Sequence, residues 1–205
     1  MKFNLALCEA ASQTIDSAMK TTDETRVISR FSILIILFLN SISTFAVTTT
    51  LGSTDAVLCF QESRILMTSN GLDYCNRAIT QGDLTKRDLA ATYSNRGIIL
   101  SNSGAYERAI RDHDKAISLK PDLAQAYINR GNVYHHLGQY QEALKNYGKA
   151  IELANGPRHV PHYNSGLTYL KLDLKEDAIS AFEKALEFAP NSANIKKKLA
   201  AARSF

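Results

Sequence analysis

The hexapeptide Thr92-Tyr93-Ser94-Asn95-Arg96-Gly97 returns downstream as Ala126-Tyr127-Ile128-Asn129-Arg130-Gly131. A decayed third copy, His162-Tyr163-Asn164-Ser165-Gly166, follows at nearly the same interval, one position longer. Small residues keep the same step. Ala109, Ala143 and Ala178 each hold the twelfth place after the repeat Gly, and Ala116, Ala150 and Ala185 the nineteenth. Gly104 and Gly138 hold the seventh, with Asp173 in the third copy; Pro121 and Pro190 hold the twenty-fourth, with Asn155 in the middle copy. Self-similarity at a period of about 34 residues marks an array of supersecondary units.

Each recurring residue has a steric reading. The early Gly and the later Ala fall where two antiparallel helices cross, and only small residues let the axes approach. The Gly at the seventh place predicts a left-handed cap that ends the first helix. The terminal Pro stops the second helix and opens the next unit. Tyr93, Ile99 and Leu100 on one helix, with Ile110, Ile117 and Leu119 on its partner, recur at the amphipathic spacings of three, four and seven. Tyr127, Val133, Tyr134, Leu137, Leu144, Tyr147, Ile151 and Leu153 do the same in the second copy.

Composition agrees. The chain has 205 residues, of which 45% are hydrophobic and 21% charged, which is globular usage. Ten Gly and four Pro are too few for a turn-dense β fold, and all four prolines (Pro121, Pro157, Pro161 and Pro190) fall in or beside repeat junctions. The net charge of +4 is mild and lacks the concentrated stripe of a nucleic-acid binder. No Gly-rich phosphate loop, GxSxG elbow or paired-carboxylate signature is present, so the sequence nominates no catalytic residue and no cofactor.

The first quarter reads separately. Arg26 and Arg30 precede an apolar block at 31–39, interrupted by Ser32, and small residues lead to Thr44-Phe45-Ala46. This is the layout of a secretory signal, predicting cleavage after Ala46 and a periplasmic or secreted domain. The alternative is an uncleaved anchor over 28–47, which would make the chain a membrane-tethered structural subunit of a cell-envelope assembly, and only in that case is there a membrane partner. A leader counted from Met1 is long for a signal, so Met19 is the expected start. The domains are then 1–46 as extension and signal, 47–89 as linker and degenerate hairpin, three units at 90–123, 124–158 and 159–190, and a capping helix at 191–205.

The period and its small-residue ladder resemble the tetratricopeptide repeat, a helix–turn–helix of about 34 residues, in a form seen in exported bacterial proteins. The usual Trp of that family is here Tyr93, Tyr127 and His162. The resemblance implies an all-α, right-handed solenoid of antiparallel helix pairs: three units, an atypical leading hairpin with helices at 55–69 and 72–81, a loop through Asp88, and the terminal cap. It also implies a non-enzymatic module that binds another protein in a concave groove lined by the first helix of each unit. Asn95, Asn129 and Asn164 are the candidate groove residues, joined by Ser94, Asn132, His136, Tyr163, Leu167 and Lys171. The competing reading is that these Asn satisfy neighbouring backbone or Tyr hydroxyl groups. The family's two-carboxylate clamp is incomplete, because Val160 and Asn164 stand where it needs basic residues.

Three further features have plain readings. Cys59 and Cys75 lie on the two helices of the leading hairpin, and export predicts a disulfide, against two buried thiols. His135 and His136 are neighbours on a helix, about 100° apart, and cannot share an ion as an i,i+4 pair does. They, with His113, His159 and His162, read as groove or surface residues, and no metal is expected. Arg96 and Arg130 read as ion-pair partners of second-helix acids such as Asp112 and Asp114, and 196–198 as a solvated run of three Lys.

Overall fold

A computed structural model describes residues 54–65, 70–81 and 83–204 of the chain. The leader and its cleavage site lie outside them. Among the described residues the secondary structure is entirely helical: α1 (Thr54–Ser63), α2 (Gly71–Thr80), α3 (Lys86–Asn102), α4 (Tyr106–Leu119), α5 (Ala124–His136), α6 (Tyr140–Leu153), α7 (His159–Lys171), α8 (Lys175–Phe188) and α9 (Ala193–Ser204). Helices α3–α4, α5–α6 and α7–α8 pack as pairs, and α1–α2 form the leading hairpin. Each second helix meets the next first helix, and the first helices α3, α5 and α7 also touch in a row. Helix α9 closes the array against α8. This is an α-solenoid.

Three turns inside the pairs are built alike. Gly104 and Gly138 have φ of +80° and +73°, and Asp173 takes the same left-handed conformation at +60°. The residue after each, Ala105, Gln139 and Leu174, donates its N–H at 2.9 Å to a carbonyl of the helix just ended: Leu100, Tyr134 and Tyr169 in turn. That bond satisfies a carbonyl the helix end would otherwise orphan, and it fixes the reversal of the chain. Asp survives in the third copy because a short polar side chain tolerates this region better than most.

The glycines at the crossings have a more specific cause than close approach to Ala. A Cβ on Gly97 would stand 2.6 Å from the ring of His113; the same distance separates Gly131 from the Tyr147 ring and Gly166 from that of Phe182. The partner of the repeat Gly is therefore an aromatic ring on the second helix, at the same place in every unit and buried in each. Ala109, Ala116, Ala143, Ala178 and Ala185 are fully buried around these rings, and Ala150 nearly so.

Two boundaries differ from the sequence reading. Helix α3 opens at Lys86 rather than beyond Asp88, because Thr85 caps it: Thr85 Oγ1 accepts from the Asp88 N–H at 3.1 Å and donates to Asp88 Oδ2 at 2.7 Å. Helix α1 ends at Ser63, short of residue 69. The Asn155 that replaces a junction Pro ties the turn differently, donating from Nδ2 to the Asp122 carbonyl at 2.6 Å.

His113 corrects the reading of the histidines as groove or surface residues, since it is 0% exposed. Neither ring nitrogen has a hydrogen-bond partner. Burial, reinforced by the nearby Arg130 charge, lowers its pKa from the ordinary 6.5 to about 3. The folded chain thus refuses a proton that the unfolded chain accepts, so stability falls as pH drops from about 6.5 toward 3, by about 1.4 kcal/mol per pH unit. His113→Phe, which copies the third unit's ring, should remove that slope. Urea titrations at pH 7 and pH 5 should show the variant gaining about 2 kcal/mol on the native chain at the lower pH; parallel losses would contradict this.

Candidate partner-binding site

The row of first helices is held together by side-chain amides and hydroxyls. Asn129 Nδ2 on α5 donates to Ser94 Oγ on α3 at 3.2 Å, while Gln125 Nε2 donates to Asn129 Oδ1 at 2.9 Å. Asn164 Nδ2 on α7 donates to Asn132 Oδ1 on α5 at 2.8 Å, and the Tyr147 hydroxyl donates to the same oxygen at 2.9 Å. Thr168 Oγ1 donates to the Asn164 carbonyl at 2.8 Å and meets His135 Nδ1 at 2.8 Å. Burial, then the charges of His136 and Lys171, hold the His135 pKa below its usual value.

Four of the candidate groove residues, Ser94, Asn129, Asn132 and Asn164, are therefore bonded to one another across unit boundaries. Ser94 and Asn129 are buried as well, at 4% and 8% exposure. Tyr163 and Leu167 come together elsewhere, packed on the Phe182, Ile195 and Leu199 cluster, and the Tyr163 hydroxyl accepts from Asn194 Nδ2 of α9 at 2.9 Å. Asn95 is half-buried, and exposed His136 stacks on the Tyr106 ring at 6.2 Å. Gln125, His135 and Thr168 belong to the same row, although the repeat pattern does not single them out. For His135 and Thr168 the signal is a polar residue with a partner one repeat away, whereas Gln125 bonds within its own helix.

On the other side of the first helices the arginines clip units together. Arg96 grips Asp112 with Nε and Nη2, both at 2.7 Å, and reaches back to Asn76 with Nη1 at 2.8 Å. Hydrogen bonding to Asp112 raises the Arg96 pKa further. Arg130 binds Asn146 of its own pair at 2.8 Å and pairs with Asp114 of the preceding one. Each guanidinium also lies over the Tyr one turn before it, Tyr93 at 5.4 Å and Tyr127 at 5.5 Å. In the leading hairpin, buried Cys59 and Cys75 have their sulfurs at bonding distance, 2.13 Å, with Cα atoms 4.8 Å apart.

Two concavities flank this frame. An outer one of 760 Å³ is lined by Tyr127, Tyr134, Glu142, Lys145, Lys149 and Glu152 among others, and its charges pair locally, Lys149 with Glu152 at 2.9 Å and Lys145 with Glu142 at 3.9 Å. The other, of 610 Å³, lies where α5, α7 and α9 meet the turn before α8, and includes Lys171. No group of three His, Cys, Asp or Glu among the described residues converges as a metal site would. His162 stacks on Phe188 at 5.7 Å.

The fold and this row of linked first helices define a class, the helical-pair repeat solenoids. Residues 122–191 match the tetratricopeptide repeat family, and residues 97–138 match its TPR repeat description; the repeat array of this chain belongs to the tetratricopeptide repeat family. No curated protein sequence matches the chain. Among solved structures, the first TPR domain of Spaghetti (RPAP3), bound to the HSP90 peptide SRMEEVD, superposes with a TM-score of 0.53 at 23% identity, over 56% of this chain and 90% of its own. A MamA RS-1 ArsTM double mutant gives 0.58 at 24% identity, over 75% and 85%. YrrB, described as a TPR protein with an unusual peptide-binding site, gives 0.53 at 28% identity, over 62% of this chain and 63% of its own.

Asn132 Oδ1 accepts from two donors, one of them on the ring that fills the Gly131 crossing. Asn132→Ala should cost about 1–3 kcal/mol in urea unfolding, because both donors lose their acceptor. A loss under about 0.5 kcal/mol would show that the row is not held this way.

Proposed function

We propose that the chain is a non-enzymatic scaffold that binds a segment of another protein along the face of α3, α5 and α7, outside the cytoplasm. The observation that carries this is a contrast between the two concavities beside the first-helix row. The outer one pairs its lysines with its own glutamates, whereas Lys171, Lys175 and Lys198 at the end of the first-helix row make no ion pair among the described residues. A charged face left without internal partners is available to an external one. Peptide binding by the Spaghetti domain and the peptide-binding site of YrrB support the same reading by analogy of fold.

The extracytoplasmic location rests on the signal-like leader and on the juxtaposed Cys59 and Cys75. Such a pair is a disulfide in an oxidising compartment and two thiols in a reducing one. The alternative is that 28–47 is retained as an anchor and the chain is a membrane-tethered structural subunit of a cell-envelope assembly, binding by its convex face or an end of the array.

Photo-crosslinking tests the face directly. A benzophenone amino acid at exposed Gln125 or His136 on α5 should crosslink a partner in cells, and one at Lys145 or Glu152 on α6 should not. Crosslinks arising only from the α6 positions would move the interface to the outer side.

A further inference from the structure

The recess at the C-terminal end of the first-helix row has a chemistry of its own. Its apolar lining is Leu167 and Leu170 of α7 and Ala202 of α9, the last fully buried and the first two half-buried. These side chains belong to the cluster around Phe182, Ile195 and Leu199, so the apolar surface is backed by packed core and is firm. Around it stand Lys171 at the end of α7, Lys175 at the start of α8 and Lys198 on α9, against a single acid, Asp173. Asp173 has a left-handed backbone, and its carboxylate forms no ion pair with any of the three lysines. His135 adds its ring from α5, held by the contact of Nδ1 with Thr168 Oγ1.

Three lysines from three helices line one recess and gain from a shared anion, while the apolar lining gains from a buried hydrocarbon side chain. The volume of 610 Å³ suits a short stretch of peptide, falling within the roughly 300–1,000 Å³ of ordinary ligand sites. The outer concavity is larger but its charges are internally neutralised. We propose that this recess, formed by α5, α7, the α7–α8 turn with the start of α8, and α9, receives an acidic segment of a partner protein, seating one apolar residue on Leu167 and Leu170 while the flanking carboxylates meet Lys171, Lys175 and Lys198. The proposal rests on the scaffold reading above and gives its partner a composition. It also gives the closing helix a second task, since α9 supplies one of the lysines.

The test uses the full chain and a fluorescein-labelled nonapeptide with Leu at its centre and Asp or Glu at every other position. Two comparison peptides carry Lys in place of the acids, or Ser in place of the Leu. Anisotropy titrations should show the acidic Leu peptide binding at least about tenfold tighter than either. The double variant Lys171→Glu/Lys198→Glu should weaken it by at least about tenfold, and Lys171→Gln/Lys198→Gln by less, while Lys145→Glu/Lys149→Glu on the outer side leaves it unchanged. Equal binding of acidic and basic peptides, indifference to the recess variants, or equally effective displacement by a short oligodeoxythymidylate would each overturn the proposal. Crosslinking from Gln125 and His136 would survive that failure if the broader scaffold reading holds, so the two are separable.

Discussion

The structure depends on a ring seated against a glycine. In each of the three full units the first helix offers a residue without a Cβ, and the second helix fills that gap with His113, Tyr147 or Phe182. A methyl group placed 2.6 Å from a ring carbon cannot be accommodated unless something moves, and the rings are fully enclosed. The contact sets how closely the paired helices approach, and the buried alanines beside it follow from that approach. In the second unit the same ring carries its hydroxyl to Asn132, so the packing within a pair is joined to the bonding between pairs.

Units are then joined in two ways, one on each side of the first helices. Arg96 and Arg130 hold their own second helix and also reach back to Asn76 or Asp114 of the preceding hairpin. The row of Ser94, Asn129, Asn132, Asn164, His135 and Thr168 binds neighbouring first helices directly. A solenoid unit cannot bury its apolar face alone, so such nearest-neighbour terms decide whether the array is cooperative. The third unit has Ser165 where the others have Arg, and that Ser bonds only within its own helix, to the Pro161 carbonyl. There α9 takes over, through the apolar cluster and the Asn194 contact to Tyr163.

Much of this is legible in the residues, and the unread part has physical causes. The spacing of Gly97, Gly131 and Gly166 and of the paired alanines suffices for the helix pairs, because a steric requirement recurs with the unit that imposes it. Gly104 and Gly138 announce the left-handed caps, and Asp173 holds one without a Gly. The ring partners are harder to see, since His, Tyr and Phe share shape rather than a letter. His113 misleads for that reason: its titratable chemistry draws notice, whereas its flat ring is what the site uses. The Thr85–Asp88 cap is present in the sequence but falls inside a stretch that reads as a loop. Asn129 and Asn164, before the glycines, bond to polar residues on the adjoining repeat, a pairing that only the stacking geometry supplies. The recess is invisible in one dimension, because Lys171, Lys175 and Lys198 converge from three helices.

A double-mutant cycle at Gly131 and Tyr147, measured by chemical denaturation, tests the central constraint most directly. Ala is favoured over Gly within a helix by about 1 kcal/mol, so Gly131→Ala would stabilise α5 if nothing stood against it. With the Tyr147 ring in place, Gly131→Ala should instead destabilise the chain; with Tyr147→Leu, the same substitution should become neutral or stabilising. An effect of Gly131→Ala that is the same in both backgrounds would contradict the account.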